Sequence, residues 1–277
     1  MRTFPIGGIH PHDNKEWSKD RAIERLELPD QVYIPMIQHI GAPSTPLVKK
    51  GDKVHTGQLI GQSVGFVSAN IHATISGTVT AVDGYANGQG QRRLMVVIKR
   101  EGDEWVESID RTPELKRECN LTSQEIIAKV KEAGIVGLGG AQFPTHVKLS
   151  VPDGQKAEVV IINGVECEPY LTSDYRNMVE RAEMILTGTE IVMRAVGVSR
   201  AVIGVENNKP DAISHLRKVI ARDNYSGIEV MPLKMRYPQG GEKQLIAAVT
   251  GRQVPPPPAL PISVGAVVCN VSTAIAI

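Results

Sequence analysis

Residues 157–163 read AEVVIIN, with Val159 to Ile162 forming an unbroken apolar run. Such a run suits a parallel strand buried on both faces, whereas a strand with one wet face alternates. The downstream sequence repeats the theme. YRNMVERAEMILTGTEIVMRAVG (175–197) has helical spacing, AVIGVE (201–206) is a second strand, PDAISHLRKVIARD (210–223) a second helix and IEVMPL (228–233) a third strand. A further buried strand is predicted over 264–269, followed by the first turn of a helix. Alternating strands and helices predict an α/β sheet of Rossmann type, in which ligands sit beyond the carboxyl ends of the strands. The loops that matter are then NGVECEPY (163–170), ENNKP (206–210) and YPQGGEK (237–243). The first carries Glu166 and Glu168 at strand spacing; the last sets Gly240 and Gly241 before Glu242 at a helix start, where free amides attract anions.

Upstream of this region, residues 30–100 read as all-β. Runs such as VYIPMI, LIGQSV, SGTVTAV and LMVVIK alternate with GD, NG and GQG turn signals. The stretches VKKGDKVHTGQLIGQ and IHATISGTVTAV resemble the biotinyl/lipoyl carrier fold, yet no lysine occurs between Val54 and Ile98 to hold a prosthetic group. A structural module or docking surface is expected. TSQEIIAKVKEAG (122–134) has helical spacing with Thr122 or Ser123 as N-cap, and it runs into the glycine-rich GIVGLGGAQFPTHVKL (134–149). That loop is not a dinucleotide GxGxxG, since Gln142 stands at the last glycine, nor a Walker loop, since Gly140 stands at the lysine. It also enters from a helix, whereas those loops follow a strand.

The expected domains are an extended segment over 1–29, a barrel-sandwich module over 30–110 and an α/β domain over 120–277. With 42% hydrophobic residues and a formal net charge of +1, the chain fits neither disorder nor a nucleic-acid surface. Cys119, Cys167 and Cys269, odd in number and far apart, make neither a disulfide framework nor a metal motif, which suggests a reducing compartment. The N-terminus lacks the apolar core of a secretory signal. The uncharged end, PALPISVGAVVCNVSTAIAI, is long enough to span a bilayer but reads as a buried strand and helix cut off at Ile277, so a fragment is expected. His10 and His12 read as surface residues, and PPPP (255–258) as a stiff spacer.

Four separated motifs agree with one family. GLGGAQFPTHVK, NGVECEP with Asp174 following, YPQGGE and VCNVST resemble the flavin- and NADH-binding subunit of respiratory complex I. GGIHPHDNK, QHIGAPSTPLV and the lysine-free barrel narrow the match: the chain resembles the C subunit of the Rnf (Rsx) ion-translocating NADH:ferredoxin oxidoreductase complexes, over essentially its whole length. The resemblance implies that Gly137, Gly139 and Gly140 bring backbone close to FMN and that Lys148 lies near the flavin or its phosphate. Asn163, Glu166, Gly240, Asn270 and Thr273 match other flavin contacts. Phe143 matches a ring that stacks on the nicotinamide, and Glu168 and Glu242 match acceptors of the NADH ribose and amide. Departures from the family loops are Leu138 for an arginine, Gln142 and His146 for glycines, Val165 for an aspartate, Gly241 for a glutamate and Cys269 for an asparagine. Val151 stands where a second aromatic wall is expected.

The implied role is electron entry: NADH passes two electrons to FMN, which hands them on singly to iron–sulfur centres, and the same parts equally allow the reverse flow from ferredoxin to NAD. The resemblance further implies two [4Fe-4S] clusters in a C-terminal region beyond Ile277 and not ligated by these residues, partner subunits that carry the membrane span, ferredoxin reached through one of them, and a peripheral place on the cytoplasmic side of the bacterial inner membrane. No metal ligand and no nucleic-acid partner is expected in this chain. Two other readings share the motifs: a cobalamin reductase of bacterial microcompartments, and a non-catalytic protein like the A subunit of the sodium-pumping NADH:quinone reductase.

Overall fold

A computed structural model describes residues 1–277. Its contacts divide the chain into two compact units: Met1–Glu24, Arg117–Ile127 and Lys148–Ile277 form one, Arg25–Lys116 and Ala128–Val147 the other.

The second unit holds the all-β region. Its strands are β1 (Gln31–Pro35), β2 (Thr45–Pro46), β3 (Lys53–Val54), β4 (Leu59–Gln62), β5 (Ile71–His72), β6 (Gly77–Ala86) and β7 (Arg92–Arg100). They form two antiparallel sheets, ordered β1-β7-β6-β3 and β2-β4-β5. Alternation along the strands turns Ile34, Val54, Ile60, Ile71, Val79, Val96 and Ile98 into one core, the pattern of a barrel-sandwich. Val54 pairs with Gly77 and Lys53 with Thr78, so the GDKV and SGTV stretches face one another as the sequence suggests.

Helix α1 (Ser123–Glu132) starts at a capping box. The Thr122 hydroxyl accepts the Glu125 amide at 3.3 Å, while Glu125 accepts the Thr122 amide at 2.7 Å. Thr122 is therefore the N-cap. The helix ends at Gly134, whose φ of +67° and whose approach to the Asn70 carbonyl, 2.2 Å from where a Cβ would stand, admit only glycine. Short helix α2 (Thr145–Leu149) follows the glycine loop, and the boundary between the units falls within α1 and α2.

The first unit is the α/β domain: β8 (Val159–Gly164), α3 (Ser173–Glu180), α4 (Ala182–Val196), β9 (Ala201–Glu206), α5 (Pro210–Asp223), β10 (Ile228–Leu233), α6 (Glu242–Thr250), β11 (Ala266–Asn270) and α7 (Val271–Ala276). The four strands are parallel in the order β10-β9-β8-β11. Every residue of β9 is buried, as expected for a central strand covered on both faces. Two elements differ from the sequence reading. The helix expected over 175–197 starts at Ser173 and breaks at Arg181, φ −134°, which lets α3 lie against α5 and α7 while α4 packs on β8 and α7. The last strand begins at Ala266, because Pro261–Val264 forms a 3-10 turn first.

Helix α4 meets α7 at Gly188, where an added Cβ would stand 1.8 Å from the Ala274 carbonyl oxygen. A Gly188→Ala substitution must push the two helices apart. It is expected to cost about 1–3 kcal/mol in urea denaturation, and a change below about 0.5 kcal/mol would contradict this packing.

The N-terminal segment joins the same unit. Arg2 bridges to Leu233 and Ile9 to Tyr237, and the Tyr170 amide donates to the Asp13 carbonyl at 2.8 Å, so residues 2–13 run past the carboxyl ends of the sheet. No helix is long and apolar enough to cross a membrane.

Candidate functional site

Chain connectivity selects one crevice. From β8 the chain moves through α3 and α4 to β9 on one side; from β10 it returns through α6 to β11 on the other side of β8. The switch point therefore lies between the carboxyl ends of β8 and β11, the place where open α/β sheets bind ligands.

Asn163 and Asn270 close these two strands in register. The Asn163 amide donates to the Gly240 carbonyl at 2.8 Å, and its Oδ1 accepts the Val165 amide at 3.2 Å. Asn270 is the N-cap of α7: its Oδ1 accepts the Ser272 amide at 2.8 Å while its Nδ2 donates to Asp174 Oδ2 at 2.6 Å. Asp174 also accepts the Ser272 hydroxyl at 3.0 Å, and burial pushes its carboxyl above the ordinary aspartate range, opposed by these two donors. Thr273 lies buried in the first turn of α7. Gly240 fits closely, with Cys167 Sγ 3.3 Å from where a Cβ would stand. At α6 the N-cap is Gly241, so no side chain caps the first-turn amides. Lys148 donates to Glu242 Oε1 and to the Val268 carbonyl, each at 2.9 Å, which leaves one of its three N–H groups. The structure thus gathers Lys148, Asn163, Gly240, Glu242, Asn270 and Thr273 in the first unit.

The two acidic residues of the 163–170 loop separate. Glu168 is exposed. Glu166 is buried at φ +51°, its two oxygens accepting the Asp174 amide at 2.7 Å and the Tyr175 amide at 3.3 Å at the start of α3. Burial raises its pKa, partly offset by the Asp174 amide. A carboxylate at a helix N-terminus is also a stabilising structural device.

Gly137, Gly139, Gly140 and Phe143 belong to the second unit. There the Gly137 amide donates to the Phe143 carbonyl at 2.9 Å and Val136 bridges Pro144, which closes a narrow loop with exposed residues 138–142 at its tip. His146 is buried beneath it, Nε2 3.1 Å from the Phe66 carbonyl and its ring edge-on to Phe66.

Sequence reasoning assigned no role to four buried polar groups of the first unit. Lys209 donates to the Val165 carbonyl at 2.7 Å and lies 3.7 Å from Glu206, which accepts the Arg236 amide at 2.9 Å. Burial pushes Glu206 up and Lys209 down, and each partner draws the other back toward its charged form. Cys167 is pushed up to about 11 by burial, which makes it an inert thiol. Lys15 donates to the carbonyls of Glu168 at 3.1 Å and Leu171 at 2.5 Å. The signal available was the charge in ENNKP, between a strand end and a proline-initiated helix; for Lys15 there was none.

A parallel α/β sheet with amide, ammonium and helix N-terminal groups at its switch point is thus carried on one chain with a barrel-sandwich module. Residues 130–277 match the Nuo51 FMN-binding domain and residues 3–103 the RnfC barrel sandwich hybrid domain. The chain belongs to the Nuo51 FMN-binding domain family. It is similar to the C subunit of the proton-translocating ferredoxin:NAD(+) oxidoreductase complex of Clostridium ljungdahlii, 47% identical over 98% of this chain and 58% of that one. The C subunit of the Na(+)-translocating complex of Acetobacterium woodii is 49% identical over 97% of this chain and 59% of its own length. The C subunit of the ion-translocating oxidoreductase complex of Rhodobacter capsulatus is 42% identical over 100% and 53%. The chain therefore spans little more than half the length of these curated relatives. Among solved structures, an H2-reduced NAD+-reducing [NiFe]-hydrogenase is similar with a TM-score of 0.49 and 26% identity, covering 56% of this chain and 30% of that one.

Proposed function

We propose that this chain is the electron-entry part of an ion-translocating ferredoxin:NAD(+) oxidoreductase complex, holding FMN at the β8–β11 switch point. The observation that carries it is the donor set there. FMN is a flat ring system with a phosphate, and the third N–H of Lys148, the second amide N–H of Asn163 and the uncapped first turn of α6 supply cationic and neutral donors suited to both parts, while Asn270 gives its two N–H groups to Asp174 and the Asn163 carbonyl and so shapes the crevice wall. Gly240 packs against Cys167 and Val165, which fixes the 237–243 loop close to the end of β8. The residues present therefore fit the cofactor.

When bound, FMN would take two electrons together from NADH and release them one at a time. The chain's own residues bind and orient. Lys148 holds negative charge, Glu242 fixes the Lys148 ammonium, Asn163 ties the end of β8 to the 237–243 loop, and Asn270 anchors α7. Glu168, which is exposed, is assigned as an acceptor for hydroxyl donors of the NADH ribose by its motif. Gly137, Gly139 and Gly140 are assigned to the flavin and Phe143 to the nicotinamide by their motif alone, as is Glu166. In the whole complex, [4Fe-4S] clusters outside this chain would carry the electrons onward to ferredoxin through a partner subunit, with this chain peripheral on the cytoplasmic face of the inner membrane.

The test is anaerobic addition of NADH to the FMN-loaded chain. Bleaching of the flavin absorbance is expected. Flavin that stays bound and oxidised would remove the nucleotide half of the proposal.

A further inference from the structure

Lys15 is 7% exposed, unusual for a lysine in a segment otherwise largely solvent-facing. Its ammonium lies among three oxygens of one loop: the Glu168 carbonyl at 3.1 Å, the Leu171 carbonyl at 2.5 Å and Glu166 Oε2 at 4.0 Å. The neighbouring segment reinforces the contact. Asp13 accepts the Tyr170 amide through its carbonyl and the Asn208 amide through Oδ2 at 3.2 Å, and the Ser18 and Thr172 hydroxyls share a hydrogen bond at 2.7 Å. The seam is tight: the cavity lined by His10, Lys15, Cys167, Glu206 and Tyr237 measures 10 Å³.

We infer that Lys15 is a positioning residue for nicotinamide-nucleotide binding, acting through the 166–171 loop to hold Glu168 in place. Both carbonyls it binds belong to that loop, and an ammonium satisfies carbonyl acceptors that burial would otherwise leave unpaired. Lys15 makes no hydrogen bond to the flavin-facing amides, and Glu166, 4.0 Å from its ammonium, keeps the Asp174 and Tyr175 amides without it. Asn163 is tied to Gly240, and Asn270 to Asp174 and Ser272, with no contact through Lys15. Loss of Lys15 should therefore separate the two ligands. The inference rests on the electron-entry reading for its nucleotide.

The experiment compares the full wild-type chain with Lys15→Met, each loaded with FMN, by stopped-flow bleaching over a range of NADH concentrations. The half-saturating NADH concentration should rise about tenfold, the equivalent of one charge-assisted hydrogen bond, while the limiting rate and FMN affinity stay at wild-type values. An unchanged half-saturating concentration overturns the inference, as does a parallel loss of flavin affinity, which would mean general loosening. Lys15→Gln, which keeps N–H donors without the charge, carries the same comparison if the methionine variant does not fold. If the wild type itself is not reduced by NADH, the electron-entry reading fails. The role of Lys15 is then decided by amide exchange: faster exchange over 166–171 in the variant supports the clamp, and unchanged exchange overturns it.

Discussion

Replacing Lys209 by methionine is expected to destabilise the α/β unit by about 3–5 kcal/mol, because it strands a buried carboxylate. Lys209 and Glu206 are 2% and 1% exposed, and the pair sits where β9 passes into α5. Without the ammonium, Glu206 keeps only the Arg236 amide, and the Val165 carbonyl loses its partner. That loss is a large share of the roughly 5–15 kcal/mol that hold a domain together. Burial already favours the neutral form of each group, so a second change that removes the stranded charge should help: Glu206→Gln in the Lys209→Met background is expected to recover part of the loss. Urea denaturation of the two variants measures both effects. A single variant within about 1 kcal/mol of wild type would mean that the pair is not a buried charged unit.

Replacing Lys148 by methionine is expected to weaken FMN binding about 10- to 100-fold while leaving riboflavin binding nearly unchanged. The two ligands differ in the phosphate, and Lys148 is the one cation that the switch-point donor set contains. Its ammonium is held by Glu242 and by the Val268 carbonyl, so it is pre-placed and loses little freedom on binding. The substitution leaves Glu242 partly exposed and able to rehydrate, and the cost in stability should be small by comparison. Equal weakening of both ligands would place Lys148 against the ring system. No weakening of either would take it out of the site.

The regular elements were legible in the sequence because their signals are local. The uninterrupted Val159–Ile162 run, the AVIGVE strand and the proline-initiated helix from Pro210 each carry their own period, and all lie where the pattern placed them. The lysine-free hairpins were legible as a barrel-sandwich for the same reason. The break at Arg181 was not, since apolar residues continue at helical spacing across it and tertiary contacts of α3 decide the turn. Within the site, Gly240 stood out as one of paired glycines before a helix start, whereas Asn163 and Asn270 were named by the motif resemblance alone. Glu166 shows the limit. The motif resemblance named it as a flavin contact, but its burial under α3 was not legible, because that depends on residues eight and nine positions later. Lys15 was invisible, because its partners lie more than 150 residues away and nothing in KEW marks a buried ammonium. The glycine loop was read together with the α/β domain, yet its contacts group it with the barrel unit.

The central claim is that the β8–β11 switch point of this chain holds FMN. Titration of the wild-type chain with FMN, followed by quenching of flavin fluorescence, tests it most directly. Saturable quenching at one FMN per chain, reduced by Lys148→Met, is the result predicted; fluorescence that stays at the level of free FMN throughout the titration would contradict it.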